Sequence, residues 1–218
     1  MPEIGALTYP LKYGDTQAED YLEIEKTGFI RMNGSAISYR DVYPSYILPL
    51  SGAAAPDSVG YTIGGVPTQL YSYNGAATEE VLSAKFEIDH DLLVDLVKLQ
   101  ALGTPPEFHV HWCPTTTATG TVKWFVDWCH IPANGSPAGQ TTLSATHAVT
   151  VASQYNNLIV TIGAFPSDLE FEIGDIILAV LRRTPGDAED TYGADAGLYQ
   201  FAIHAPCDTN GSRGIFTK

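Results

Sequence analysis

The sequence has few charged residues, and basic residues are the scarcest of them. Only 17% of its 218 residues are charged, below the ~25% of an ordinary soluble domain. Lys and Arg number 11 against 25 Asp and Glu, which gives a net charge of -14. A chain with this charge repels phosphate backbones and anionic lipid headgroups, so nucleic acid and membrane are not expected partners. Much of the surface must be neutral or covered by other proteins.

Long apolar runs, a secretion signal and paired cysteines are also missing. No segment approaches the ~18 consecutive apolar residues of a membrane span, and no basic region followed by an apolar run opens the chain. We therefore expect a soluble protein made in the cytoplasm of its host. The three cysteines, Cys113, Cys129 and Cys207, form no Cys-x-x-Cys pair. Buried free thiols are the favoured interpretation, with a structural disulfide or a zinc site as alternatives.

Common catalytic signatures are absent as well. The chain has no Gly-x-Ser-x-Gly, no Walker loop, no dinucleotide fingerprint and no His-Glu-x-x-His. We expect no enzymatic activity, no catalytic residue and no cofactor.

What the chain has in abundance is turn and strand formers, with 20 Gly, 14 Pro and 12 Tyr. Period-two patterns predict six strands in the second half: 108–112, 121–130, 147–151, 157–164, 175–183 and 197–204. Residues 81–89 alternate too, and 91–100 have helical spacing. The prediction is an all-β fold, an antiparallel β-sandwich or jelly-roll-like domain with at most one or two short helices.

The predicted organisation is an extended N-terminal arm over residues 1–20, followed by a single β-sandwich domain over 21–218. Residues 44–78 are rich in Pro and Gly, which predicts a loop-rich insertion or a meander of short edge strands. The dipeptide Asn33-Gly34 predicts a hairpin turn leading into a second strand near Ala36–Tyr43.

The sharpest local feature is the pair His109 and His111. Residues two apart on a strand face the same way, so both imidazoles could bind one metal, with His204 as a third ligand. Cupins, which are jelly-roll metalloproteins, also use a His-x-His motif, but the acid that should follow is missing here. The favoured interpretation is hydrogen bonding in a half-buried sheet or at a subunit interface, so no metal is assigned.

Two further charged features have structural and functional interpretations. Arg182 and Arg183 precede acids at positions 187, 189, 190 and 195, which could hold an anion or calcium, although solvated charges and local ion pairs are favoured. Asp127 lies in a strand in which one face carries Val122, Trp124, Val126 and Trp128 and the other carries Lys123, Phe125, Asp127 and Cys129. A lone strand acid is more often a polar-face residue than a general acid.

Three blocks of the second half resemble a family of tailed-bacteriophage virion proteins. They read HVHW at 109–112, GTVKW at 120–124 and DTYGADAGLYQFAIHAPCDTNGSRGIFTK at 190–218. The resemblance covers about residues 107–218. The chain departs from the pattern where Ala202 replaces an expected acid and where Ala205-Pro206-Cys207 replaces a more aromatic stretch.

The resemblance implies a virion component that works as an oligomer, with a homotrimer as the first choice. A capsid decoration (cement) protein bound to the major capsid protein is the leading hypothesis. A tail, collar or fibre-adaptor protein bound to tail or neck proteins is the alternative, and it predicts surface-exposed Tyr61, Tyr71 and Tyr73. A cupin-like metalloenzyme and a carbohydrate-binding module are alternatives of other classes.

Overall fold

The structure is a computed structural model that describes the backbone of residues 11–13, 21–24, 30–33, 38–76, 78–89 and 105–207. These residues form strands, turns and loops but no helix, and so hold no helix that could cross a membrane. The strands are β1 Leu11–Tyr13, β2 Tyr21–Ile24, β3 Ile30–Asn33, β4 Ser38–Val42, β5 Tyr46–Pro49, β6 Asp57–Ile63, β7 Val66–Tyr73, β8 Glu80–Glu87, β9 Glu107–Pro114, β10 Gly120–Ile131, β11 Thr141–Val149, β12 Leu158–Ala164, β13 Ile176–Arg183 and β14 Ala196–Cys207.

Two antiparallel sheets form a β-sandwich, which confirms the predicted fold class. The first sheet has five strands in the order β11-β10-β13-β8-β5. The second has six: β12-β9-β14-β7-β6, with β4 also pairing with β14. The short strands β1, β2 and β3 form a three-stranded antiparallel sheet of their own.

The core lies between the two large sheets and is rich in aromatic rings. On β10 the predicted alternation is confirmed, because Trp124 and its apolar neighbours two residues apart are buried while the intervening residues are half-buried. Trp124 meets Trp112 of β9 edge to face, with ring centroids 6.0 Å apart, and Tyr73 at 5.0 Å. Burying one large apolar side chain stabilises a fold by about 1.5–3 kcal/mol, so these rings are a main source of stability.

The predicted hairpin at Asn33-Gly34 is wrong in its pairing. Strand β3 pairs with β2, whereas β4 pairs with β14 near the end of the described chain, Val42 lying opposite Ile203. The Asn33-Gly34 dipeptide favours a turn only locally. Val42, which is apolar, is buried in the sandwich core. Burial of that side chain therefore favours the distant partner strand over the adjacent one.

Strand β11 begins earlier than predicted, at Thr141 instead of His147, and ends at Val149. Its first residues are mostly Thr, Ser and Ala, so alternation in hydrophobicity is weak there. They pair with β10 in continuous register from Trp128↔Thr141 to Gly120↔Val149. Because β11 is an edge strand of the first sheet, its outward residues need not be apolar.

The segment 44–78 contributes three strands to the sandwich. Strand β5 forms one edge of the first sheet, and β6 and β7 form a hairpin at the edge of the second. The turn between them is Gly64-Gly65, with φ of +59° and +84°, values that glycine adopts without a steric cost. The predicted helix at 91–100 lies outside the described residues, as does most of the predicted arm. The domain boundaries stay a prediction.

Candidate functional site

Three histidines come together on the outer face of the second sheet. His109 and His111 alternate along β9 with the core residues Phe108 and Val110, so their side chains point away from the core. His204 comes from the neighbouring strand β14. The ring centroid of His109 lies 5.0 Å from that of His111 and 5.6 Å from that of His204.

Asp41 brings a carboxylate to two of these histidines. Strand β4 pairs with β14 so that Asp41 lies directly opposite His204. Its Oδ1 is 3.0 Å from Nδ1 of His204 and 3.4 Å from Nε2 of His109. One potential ligand atom from each of the three residues lies within 4.8 Å of the others. We call Asp41, His109 and His204 the Asp41 cluster.

Burial affects the ionisation of His109. The side chain of His109 is 9% exposed, and desolvation lowers its pKa, an effect that Asp41 opposes and that the neighbouring histidines reinforce. The neutral imidazole, which is the form that binds metals, is therefore favoured at neutral pH. Its Nε2 is buried and makes no hydrogen bond to any described residue.

His111 does not belong to the cluster. Its Nδ1 lies 3.2 Å from the side-chain oxygen of Asn157, on the side of β9 where β12 pairs. The three histidines predicted from the sequence are therefore neighbours, but they do not share one ligand centre. Asp41, the third member of the Asp41 cluster, is not among the residues that the sequence predicts, because its strand is predicted to belong to a local hairpin.

Three of the four acids that follow Arg182 and Arg183, namely Asp187, Glu189 and Asp190, are engaged in ion pairs, whereas Asp195 accepts a hydrogen bond from the backbone N–H of Gly75. Arg183 is fully buried and makes a two-pronged salt bridge with Asp190, both distances being 2.9 Å. Nζ of Lys123 contacts Asp187 at 3.1 Å and Glu189 at 2.6 Å. These contacts match the interpretation as local ion pairs rather than as an anion or calcium site.

Asp127 is likewise held by partners on its own sheet. It accepts hydrogen bonds from Nε of Arg182, at 2.7 Å, and from the hydroxyl of Thr142. Partial burial alone would raise the pKa of Asp127, but these two partners hold it below its usual value. A carboxylate kept ionised in this way suits the sheet surface and not the role of a general acid.

Two of the cysteines are free thiols. Cys113 is buried beside Gly197 on β14, and desolvation raises its pKa, whereas Cys129 is half-buried. The raised pKa keeps the Cys113 thiol protonated and poorly nucleophilic. The side chain of Cys207 lies outside the described residues.

The three sequence blocks that carry the phage resemblance meet in the core. Trp112 of the first block packs against Trp124 of the second, at 6.0 Å, and against Tyr192 of the third, at 6.4 Å. Asp190, which opens the third block, accepts a hydrogen bond from the backbone N–H of Lys123 in the second, at 3.1 Å. These residues build the interior of the sandwich, and we name Trp112, Trp124, Tyr192 and the Arg183–Asp190 pair the core junction.

The tyrosines expected on the surface are not exposed. Tyr73 is fully buried, and its hydroxyl donates to the carbonyl of Leu181 on the opposite sheet. Tyr61 and Tyr71 are half-buried, and the Tyr61 ring packs edge-on against Tyr155. The expectation of an exposed aromatic surface at these three positions is wrong, because the hairpin of β6 and β7 is built into the second sheet.

No protein-family model matches the sequence, and no curated protein sequence matches it significantly. Among solved structures, a chain of infectious bursal disease virus, strain Gx, is 11% identical with a TM-score of 0.35 over 90% of this chain and 40% of that one. The family 22 carbohydrate-binding module of Clostridium thermocellum Xyn10B is 11% identical, with a TM-score of 0.32 over 76% of this chain and 96% of that one. The delta-endotoxin Cry8Ea1 of Bacillus thuringiensis is 12% identical, with a TM-score of 0.35 over 85% of this chain and 29% of that one. Likeness at this level assigns neither family nor function. The chain spans less than half of the viral and toxin chains that it resembles.

Proposed function

We propose that this protein is a structural component of a tailed-phage virion, and more specifically a capsid decoration protein that binds the shell as a homotrimer. The observation that carries the proposal is the core junction. Three blocks that are separate in sequence, and that together resemble phage virion proteins, contact one another in the interior. Residues that pack in the interior of the sandwich stabilise its fold. A stable fold is the property that a shell component requires.

The surface supports a role in assembly. Between Tyr43 and Leu50 several large apolar side chains are exposed, with Tyr43 at 59% and Leu48 at 53% of their full area. Clustered apolar side chains at a surface are typical of protein–protein contacts. Because the chain has a net charge of -14, the partner protein surfaces that suit it are neutral or basic.

Two alternatives are weaker on the present geometry. A tail or fibre-adaptor protein that contacts a receptor through Tyr61, Tyr71 and Tyr73 would need rings that are instead buried or half-buried. A cupin-like enzyme would need His111 beside His109 and His204 at one metal, whereas His111 faces Asn157.

The test of the proposed function is the copy number of this protein per purified phage particle. Quantitative mass spectrometry against the major capsid protein gives the ratio directly. A decoration protein is expected in hundreds of copies, because it repeats over the shell. Light scattering of the free protein should give about three times the 23.5 kDa chain mass if the homotrimer is correct.

The other outcomes separate the alternatives. About a dozen copies would place the protein at the tail or neck and overturn the decoration assignment. Absence from washed particles would overturn the virion assignment altogether.

A further inference from the structure

We propose that Asp41, His109 and His204 bind a divalent transition-metal ion, with zinc as the representative ion. The proposal concerns a site of this chain that the virion role does not require. It rests on donor chemistry, on distances, and on a buried nitrogen that has no hydrogen-bond partner among the described residues.

The donor set suits zinc and its neighbours in the first transition series. Two imidazole nitrogens and one carboxylate oxygen are common zinc ligands, bound at about 2.0–2.2 Å. Two atoms at that distance from one tetrahedral ion lie about 3.4 Å apart. The Asp41–His109 and Asp41–His204 contacts, at 3.4 Å and 3.0 Å, are close to this spacing. The whole set lies within 4.8 Å, so the two imidazole nitrogens need to approach each other by at most about 1.4 Å to reach this spacing.

The buried nitrogen of His109 points to a ligand. Buried polar atoms in folded proteins almost always have a hydrogen-bond partner, and an exception calls for an explanation such as an ion. Nε2 of His109 is buried and has no hydrogen-bond partner within the part of the chain that the structure describes. The carboxylate oxygen of Asp41, at 3.4 Å, lies at a distance that suits a shared ion better than a hydrogen bond. Coordination to a metal would satisfy this nitrogen and the negative charge of Asp41 together.

The ligands come from three strands, β4, β9 and β14. Strand β4 is held in the sheet through its pairing with β14, and an ion would add a second link from β4 to β9 across β14. The side chains of Asp41 and His204 are 23% and 38% exposed, so the site opens to solvent. The remaining coordination position is therefore available to water or to a side chain of another copy.

The experiment uses the full chain, purified without an affinity tag and stripped of metal with a chelator. Calorimetric titration with zinc chloride is expected to give one ion per chain. Titration with cobalt chloride is expected to give the visible absorption of a Co²⁺ ion with a low coordination number. The variants Asp41→Asn and His204→Gln, both at partly exposed side chains, should weaken zinc binding at least about tenfold. Zinc should also raise the melting temperature of the parent protein but not that of these variants.

His111→Gln is the matched control. His111 lies on the same strand and face as His109 but outside the Asp41 cluster, so this variant should bind zinc like the parent. The proposal is overturned if the parent binds no zinc, or if Asp41→Asn and His204→Gln bind as tightly as the parent. Equal loss of binding in His111→Gln would also overturn it. None of these results bears on the copy number per particle, so the two proposals fail independently.

Discussion

At the scale of single residues, Arg183 is a side chain on which several interior polar contacts depend. It is completely buried, and it donates to both carboxylate oxygens of Asp190 and to the backbone carbonyls of Tyr73, Tyr192 and Ala194. A buried guanidinium is tolerated only when its charge is neutralised and its donors are satisfied. Asp190 supplies the charge, and the carbonyls occupy the remaining donors.

The substitution Asp190→Asn is expected to lower the free energy of unfolding by about 3–5 kcal/mol, because it leaves the charge of Arg183 buried without a counter-ion. Urea unfolding followed by tryptophan fluorescence measures the change. Asp187→Asn is the control, because Asp187 pairs with Lys123 at the surface and its loss should matter far less. Equal effects of the two substitutions would contradict the assigned role of the buried pair.

At the scale of elements, the start of β10 depends on the absence of a side chain. Gly120 has a φ of +153°, and a Cβ added there would lie 2.7 Å from the carbonyl oxygen of Thr191 and 2.8 Å from Cα of Tyr192. These are backbone atoms, so they cannot rotate away. The strand can approach the segment that carries Tyr192 this closely only because position 120 is glycine.

Gly120→Ala should therefore destabilise the protein by about 1–3 kcal/mol, the usual cost of forcing extra volume into a packed site. Thermal and urea denaturation provide the measurement. In strand β6 the matched variant Gly60→Ala places its new methyl where no atom lies within 4 Å, so it should leave stability nearly unchanged. If Gly120→Ala unfolds at the same denaturant concentration as Gly60→Ala, the proposed contact is not important.

At the scale of the whole molecule, the two sheets are joined by a hydrogen bond as well as by apolar packing. Nε1 of Trp112 on β9 donates to Nδ1 of His147 on β11, at 3.3 Å. The acceptor nitrogen must be unprotonated, and burial lowers the pKa of His147, so the neutral ring is favoured in the folded protein. Protonation of His147 at Nδ1 would remove the acceptor, and the buried indole N–H of Trp112 would lose this hydrogen bond.

This inter-sheet contact predicts acid sensitivity. The pKa of His147 is lower in the folded than in the unfolded state, so the unfolded chain binds more protons and stability falls with decreasing pH. The loss should begin as the pH drops below about 6.5, the ordinary imidazole value, and continue to the lower folded pKa. Urea unfolding between pH 7 and pH 5 tests this.

His147→Gln is the comparison, because glutamine keeps an acceptor oxygen but does not titrate. The pH dependence of its stability should be shallower than that of the parent in the same range. His109, whose pKa burial also lowers, contributes in the same direction to both proteins, so the difference isolates His147. Parallel curves for the two proteins would contradict the prediction.

The sequence alone determined the fold class and the alternation of buried and half-buried residues along β10. Alternation within β10 and β9 is local, because successive side chains of a strand point to opposite faces, and the phage-like blocks were visible as patterns of letters. Pairing between distant strands was decided only by the tertiary structure. Asp41 lies 163 positions from His204, and nothing local places their strands in register. Burial of Val42 between the sheets selects β14 as the partner of β4, and that choice brings a carboxylate to the histidines.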